Sequence, residues 1–293
     1  MVILQDCFLL NITYWILCSG QGTYMKKIKK MIVFANLKIF MKSRAEVCEY
    51  VEDFKNNIAG IDTSLIEIHL MSDFLSFDYM KKNLAGTDIK IGVQDIFWED
   101  WGAFTGEVSP AMLKDLGCDS AFIGHSVRKT LFHETDETVN MKVHACLRNN
   151  ITPFMFIGET REEHQAGLTE IILKRQLEKG LFSVNAEMLS NIVIVFEPRW
   201  AIGQQDSASM ETIQKMHIKI RNMLGDLYGK DIIPEAKVIY GGGVNIENIG
   251  AIVKIPEVDG AGAARASLDA LHFLKLISII ESEAKSRRKG YGN

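Results

Sequence analysis

The feature that most constrains the fold of this chain is an alternation of short apolar runs with longer amphipathic stretches. Eight runs rich in apolar and β-branched residues occupy positions 32–35, 65–70, 89–93, 120–124, 152–157, 192–196, 237–240 and 258–263. These runs are continuous, which is typical of strands buried on both faces. Most of the stretches between them have the periodicity of a helix with one apolar face. Strand and helix thus repeat about eight times, which predicts a parallel sheet.

Eight strand–helix units in a chain of 293 residues match the (β/α)8 barrel, which typically takes about 250 residues. A doubly wound open sheet is the alternative, and periodicity alone does not exclude it. No Pro/Gly-rich linker divides the chain, so we expect one α/β domain over residues 25–293. One predicted helix has Ala270, Leu271, Leu274, Ile277 and Ile280 on its buried face, and Lys275 and Glu281 on the other.

The composition of the chain excludes several classes of protein. Lys and Arg number 33 against 37 for Asp and Glu, and a net charge of −4 gives no basic surface for nucleic acid. Five scattered cysteines, with no C-x-x-C pair, argue against a disulfide framework or a zinc site and fit a reducing cytoplasm. A hydrophobic content of 47% is enough for a large buried core.

Residues 1–24 do not follow the repeating pattern. Their apolar run, 7–18, is shorter than the roughly 20 residues that span a membrane. Asp6 is the only charged residue there, which does not fit a secretory signal. A Lys-rich segment begins at Met25 and leads into the first predicted strand. We interpret residues 1–24 as a non-native extension or a disordered arm, and we expect no membrane association.

The barrel prediction also locates the reactive side chains. In such barrels they sit at the C-terminal ends of the strands and on the loops that follow. Asn36 and Lys38 follow the first predicted strand, His125 follows the fourth and Glu197 follows the sixth. A carboxylate, an imidazole and an ammonium group at three strand ends of one barrel therefore predict a catalytic site.

Seven short motifs in the body of the chain match those of a known family. They are residues 35–38 (ANLK), 102–107 (GAFTGE), 124–126 (GHS), 132–136 (FHETD), 157–159 (IGE), 196–203 (FEPRWAIG) and 240–245 (YGGGVN). In order and spacing they resemble the triosephosphate isomerase family, and the similarity runs over residues 32–280. The resemblance implies a TIM barrel. It also implies an isomerase that interconverts glyceraldehyde 3-phosphate and dihydroxyacetone phosphate through an enediolate, without cofactor or metal.

The resemblance assigns a role to each of the four strand-end residues. Glu197 would be the base that moves a proton between two carbons, and His125 a neutral imidazole that donates to the carbonyl oxygen, a division of labour already described for this family. Lys38 would supply positive charge near the enediolate oxygen. Asn36 would help to orient the first loop and the substrate. Residues 198–208 resemble the family's lid, whose closure expels water.

Phosphate binding at such a site requires backbone N–H groups that can approach the ligand closely, which favours glycine. Gly203 in the lid and Gly243 after the seventh strand meet this requirement. The last loop departs from it, because Ala264 and Arg265 stand where the family has two glycines. We expect all four residues to bind the substrate, with Arg265 adding a cation and bulk beside the phosphate.

Other departures from the family surround the ligand and leave two alternatives open. Val127 replaces a glutamate that normally lies near Lys38, Arg199 replaces a small apolar residue at the lid hinge, and Phe156 replaces a cysteine behind the site. The first alternative is a tetrulose-phosphate (erythrulose phosphate) isomerase, since relatives of that kind also carry an arginine in the last loop. The second is a phosphosugar-binding barrel without catalysis.

The resemblance extends to a partner. Trp98 and Trp101 resemble a loop that docks on a second subunit, with Thr105 near the partner's site. This implies a homodimer, and the family's role in glycolysis and gluconeogenesis implies a cytoplasmic enzyme.

Overall fold

The computed structural model describes residues 29–202 and 208–290. Within these ranges eight strands form a closed barrel in the order of the sequence, and every neighbouring pair is parallel. They are β1 Met31–Asn36, β2 Ile66–Ser72, β3 Lys90–Val93, β4 Ser120–Ile123, β5 Thr152–Ile157, β6 Val193–Phe196, β7 Lys237–Tyr240 and β8 Gly260–Ala263. The predicted TIM barrel is confirmed. The open doubly wound sheet is excluded, because β8 pairs with β1.

Helices connect the strands and cover the outside of the barrel. In chain order they are α1 Arg44–Asn57, α2 Phe74–Asn83, α3 Pro110–Asp115, α4 Ser126–Leu131, α5 Asp136–Arg148, α6 Arg161–Gln165, α7 Thr169–Gly180, α8 Ala186–Leu189, α9 Met210–Tyr228, α10 Ile246–Ile252 and α11 Ala270–Gly290. Short 3-10 helices cover Ile58–Gly60, Arg199–Ala201, Lys230–Ile232 and Arg265–Ser267.

Two layers of apolar side chains hold the barrel together, which explains why its strands read as continuous apolar runs. The outer layer lies between the strands and the helices. The inner layer fills the barrel and consists of Ile32, Phe34, Met71, Phe122, Phe154, Phe156, Val193, Val195 and Ile239. Glycine in β8 makes room for one of these rings, since a Cβ on Gly262 would fall 1.8 Å from Cζ of Phe34.

Helix α11 corrects two assignments made from its periodicity. Leu271 is 44% exposed although its spacing indicated the buried face, and Glu281 is only 7% exposed. Glu281 Oε1 accepts the backbone N–H of Asp62 at 2.9 Å and pairs with Lys285 Nζ at 2.6 Å. A carboxylate satisfied in this way can be buried beside apolar neighbours. The other predicted contacts of this face, Ala270, Leu274, Ile277 and Ile280, are buried.

Some expectations fall on residues that the structure does not describe. The interpretation of residues 1–24 and the role of Gly203 lie outside the described ranges. Within those ranges, no helix combines the length and the apolar character that crossing a membrane requires.

Candidate active site

The C-terminal edge of the barrel brings His125 and Glu197 into direct contact. His125 follows β4 and Gly124, and Glu197 follows β6 immediately. Nε2 of His125 lies 3.2 Å from Oε1 of Glu197. Both residues are buried, with 8% and 5% of their surface exposed. The two groups that the sequence singled out as imidazole and base therefore share one site.

The imidazole of His125 is held in a defined tautomer. His125 is the N-cap of α4, and its Nδ1 accepts the backbone N–H of Val127 at 3.2 Å. The proton of the neutral ring therefore resides on Nε2, which faces Glu197. Burial is the main cause that lowers the pKa of His125, the positive charge of Lys38 acts in the same direction, and Glu197 opposes both. The ring is thus set up as a neutral donor.

Glu197 is held through its side chain and through its backbone. The carboxylate oxygen Oε2 accepts the backbone N–H of Ser126 at 3.1 Å, and the backbone N–H of Glu197 donates to the carbonyl of Ile157 at 2.8 Å. Gly158 allows this close approach of β5 and β6, because a Cβ there would lie 1.9 Å from the carbonyl oxygen of Glu197. The first turn of α4 and the end of β5 together fix the position of the base.

Asn36 joins the same pair from β1. Its Nδ2 lies 3.2 Å from Nε2 of His125, a contact between two N–H groups in this tautomer, and its Oδ1 accepts the backbone N–H of Lys38 at 3.2 Å. Lys38 has a φ of +50°, and its carbonyl accepts the side chain of Gln94 at 2.9 Å. Asn36 and Gln94 thereby stabilise a left-handed backbone conformation at Lys38, whose charge acts on His125.

The Lys38 ammonium lies where the family's glutamate is replaced by Val127. Within the described ranges, Lys38 Nζ has no hydrogen-bond or ion-pair partner. Val127, where the family has an acid, is 37% exposed. The charge of Lys38 is therefore not neutralised by a described neighbour and remains available to an anionic ligand.

The predicted phosphate loops lie at the same end of the barrel. Gly243 follows β7, and its carbonyl accepts Nδ2 of Asn248 at 2.8 Å. Ala264 follows β8, which pairs with β1, and its carbonyl accepts the hydroxyl of Ser267 at 2.8 Å. Arg265 is exposed, and its side chain has no partner within the part of the chain that the structure describes. Gly203 lies outside the described residues.

The segment that resembles the lid is fastened at its near end. Trp200 Nε1 donates to Glu159 Oε1 at 2.8 Å, and the Trp200 ring stacks on His164 with centroids 4.3 Å apart. Arg161 donates to the carbonyl of Trp200 at 2.9 Å. Arg199, the unusual hinge residue, donates from its guanidinium to the hydroxyl of Thr130 on α4.

Three residues of the site were missed by sequence reasoning. Gln94 directly follows β3, so the strand-end rule could have found it. Ser126 acts through its backbone N–H, a group that every residue except proline carries, so its side chain gives no signal. Phe156 was noted only as a departure, although its ring centroid lies 4.9 Å from that of His125.

This arrangement suits proton transfer at a carbon next to a carbonyl group. A buried carboxylate can accept the proton, a neutral imidazole can donate to the carbonyl oxygen, and an ammonium group nearby favours the negative charge that develops. Among the described residues, no group of three or more His, Cys, Asp and Glu side chains is arranged to hold a metal ion.

Comparison with known proteins agrees with the geometry. The family model for triosephosphate isomerase matches residues 31–280. A triosephosphate isomerase of Citrifermentans bemidjiense is 37% identical over 254 residues, which cover 87% of this chain and 100% of that protein. Those of Streptococcus mutans and Thermodesulfovibrio yellowstonii are 38% and 40% identical, over 86% and 85% of this chain and 99% and 98% of their own lengths. The chain therefore belongs to the triosephosphate isomerase family.

Proposed function

We propose that this protein interconverts glyceraldehyde 3-phosphate and dihydroxyacetone phosphate, an isomerisation that needs no cofactor. Membership of the family supports this activity. The observation that carries the proposal is the buried contact between Glu197 Oε1 and His125 Nε2, 3.2 Å apart, at the C-terminal edge of the barrel. A protein that only bound phosphosugars would have no need for a base held in this way.

Each residue has a step in the proposed reaction. Glu197 removes a proton from the carbon next to the carbonyl group, and the electron pair moves onto the carbonyl oxygen to form an enediolate. His125 donates its Nε2 proton in a hydrogen bond to that oxygen, and Lys38 stabilises the negative charge. By way of the imidazole, the hydroxyl proton on the first carbon's oxygen passes to the former carbonyl oxygen. Glu197 then returns its proton to the neighbouring carbon, and the oxygen that lost its proton becomes the new carbonyl oxygen. No atom is gained or lost, so the reaction balances without a second substrate.

Substrate binding must first separate the catalytic pair. At 3.2 Å, Oε1 of Glu197 and Nε2 of His125 leave no space for a carbon skeleton between them. The carboxylate must exchange its contacts with Nε2 and with the Ser126 N–H for a position over the substrate. The imidazole keeps its capping contact with Val127 during this exchange, so its Nε2 proton becomes free for the substrate oxygen.

The phosphate group would lie between the loops after β7 and β8. Gly243 and Ala264 would offer backbone N–H groups, and the exposed guanidinium of Arg265 would add a positive charge. Gly203 would contribute a further N–H from the segment that resembles the lid. Lys38, which has no described partner, would face the bound phosphosugar from the β1 side, near the enediolate oxygen.

The proposal is tested with purified protein and the two triose phosphates, without added metal or cofactor. Turnover in both directions is expected, and it should persist after treatment with EDTA. The variant Glu197→Gln in the same assay shows whether the turnover belongs to this site. Binding of a triose phosphate without turnover would instead support the non-catalytic alternative.

Arg265 keeps the tetrulose-phosphate alternative open. An exposed side chain with a full positive charge takes the place of a glycine at the end of β8. The bulk of Arg265 changes the space beside the phosphate loop, and its charge lies further from the backbone than a glycine N–H would. Both changes would suit a substrate one carbon longer. Rates on triose and tetrulose phosphates, measured side by side, decide between the two substrates.

We further propose that the protein is a homodimer. The segments that follow three neighbouring strands, β1, β2 and β3, expose large apolar side chains at the same edge of the barrel: Ile39, Phe40, Trp101 and Phe104 in loops, and Phe74 and Leu75 at the start of α2. Monomeric proteins rarely expose such an apolar surface. Light scattering should give twice the mass of the chain, and Trp101→Glu should lower that mass. A single-chain mass at micromolar concentration would contradict the proposal.

The cytoplasm is the proposed location of this activity. The cysteines of the described ranges, Cys48, Cys118 and Cys146, are free thiols, which suit a reducing compartment. Fractionation of cells that express the full chain, followed by immunodetection, tests this location.

A further inference from the structure

Phe156 lies at the top of the barrel interior, directly beneath the catalytic pair. It is the last but one residue of β5 (Thr152–Ile157) and pairs in register with Val195 of β6. Its side chain is 2% exposed and belongs to the apolar cluster inside the barrel. The aromatic rings of Phe34 and Phe122 contact it, with centroids 5.9 and 4.8 Å away. The position of its ring is therefore fixed from below.

The same ring packs against the imidazole of His125. Their centroids are 4.9 Å apart and their planes make an angle of 67°, an edge-to-face arrangement. Phe122 lies parallel to the imidazole at a greater distance, 6.1 Å with an angle of 17°. Val127, Glu197 and Asn36 contact the imidazole at its nitrogen atoms. Phe156 supplies the nearest contact from a ring of the barrel interior.

We propose that Phe156 is a positioning residue, which fixes the plane of the His125 imidazole and keeps water away from its inner side. The contact itself is a property of the fold, whereas its importance for turnover rests on the proposed isomerase function. Phe156 is buried in the apolar cluster inside the barrel and contacts His125, so we expect it to act on the reaction through His125.

The electrostatic surroundings of His125 explain why exclusion of water matters. Glu197 and Glu134 favour the protonated imidazole, while Lys38 and Arg128 disfavour it. Burial is nevertheless the largest influence and lowers the pKa of His125. An aromatic ring that contributes to this burial helps to keep the imidazole neutral near pH 6–7, where an exposed histidine titrates at about 6.5.

Phe154 provides a matched control in the same strand. It lies two residues before Phe156 on the same face of β5 and is fully buried in the same cluster. Its ring contacts Phe34, Phe122 and His69, with centroids 5.8, 6.2 and 4.7 Å away. Among the described ring contacts it has none with His125. A substitution there should disturb the core without changing the surroundings of the catalytic imidazole.

The test follows the titration of His125 by NMR in the full-length protein with isotope-labelled histidine. The signal is identified by its loss in His125→Gln. In Phe156→Ala the midpoint should rise by about 0.5–1 pH unit, because water reaches the imidazole. Phe156→Leu, which keeps more apolar volume, should show a smaller rise in the same direction. It also serves as the second variant if Phe156→Ala does not fold.

Steady-state kinetics supply the second measurement. In Phe156→Ala, kcat should fall about tenfold while KM stays within about twofold, because the electrophile is misplaced but the phosphate loops are intact. In the pH profile of kcat/KM, the fall on the acid side should move to higher pH together with the NMR midpoint of His125. Phe156→Leu should recover part of kcat.

The outcomes separate this inference from the proposed function. An unchanged His125 midpoint in both Phe156 variants would overturn the positioning role. An equal rise in Phe154→Ala would also overturn it, since the effect would then be general to the core. If the His125 midpoint shifts in the Phe156 variants while the wild-type protein turns over no sugar phosphate, the contact is supported and the proposed activity is overturned.

Discussion

Glu197 Oε1 lies 3.2 Å from His125 Nε2, although β5 separates the strands that carry these two residues. Gly158, at the end of β5, is the residue that permits this arrangement. A Cβ at that position would lie 1.9 Å from the carbonyl oxygen of Glu197. The geometry of the catalytic pair therefore depends on a residue with no side chain of its own.

Replacing the base should remove turnover and leave the barrel intact. Glu197→Gln keeps the size of the side chain but cannot accept the substrate proton, so kcat should fall about 10³-fold. Circular dichroism and the thermal midpoint should remain close to those of the wild type. Glu247→Gln, an exposed substitution in the first turn of α10, is the control and should not change kcat. A Glu197→Gln variant of wild-type rate would refute the assigned base.

Two glycine-to-alanine substitutions should have opposite effects. Gly158→Ala forces β5 and β6 apart at Glu197, so it should lower both kcat and the free energy of unfolding, the latter by about 1–3 kcal/mol. Gly250 lies within α10, where a Cβ would meet only Cγ2 of Ile279 at 3.5 Å. Gly250→Ala should therefore stabilise the protein by about 0.5–1 kcal/mol without affecting kcat. Urea unfolding and the isomerase assay give both quantities. Tolerance of Gly158→Ala would contradict the close approach of the strands.

The strands and the principal site residues were predictable for the same physical reason. Strands buried on both faces must be apolar throughout, so the polar residues that follow them, such as His125 and Glu197, stand out in the sequence. The contact of Phe156 with His125 was not predictable, because it depends on how rings from different strands fill the interior. Periodicity also misplaced Glu281, whose carboxylate is satisfied by a distant backbone N–H that no local pattern reveals.

His217 should make the stability of the protein depend on pH. Its side chain is fully buried in α9, near the ring of Phe196, and burial lowers its pKa to about 3. Below an ordinary pKa of about 6.5, the unfolded chain binds a proton that the folded protein does not, so stability falls as the pH falls. This loss continues until the pH reaches the folded value and amounts to about 1.4 kcal/mol per pH unit.

The variant His217→Leu removes this proton linkage. Between pH 6.5 and pH 5, the wild type should lose about 2 kcal/mol of unfolding free energy relative to His217→Leu. Denaturant unfolding at a series of pH values measures the difference. His272→Leu, on the exposed surface of α11, controls for the loss of an imidazole. Parallel pH profiles for the wild type and His217→Leu would show that His217 is not held neutral.

Arg265 should determine the length of the preferred substrate. Its guanidinium is exposed at the end of β8 and has no partner within the described ranges, so its charge is available to the ligand. Arg265→Gly removes both the charge and the bulk and gives the loop a backbone that can approach phosphate closely. The ratio of kcat/KM for triose over tetrulose phosphate should rise about tenfold. Arg265→Lys retains the charge and should stay nearer the wild-type ratio. An unchanged ratio in Arg265→Gly would show that another residue determines the preferred substrate length.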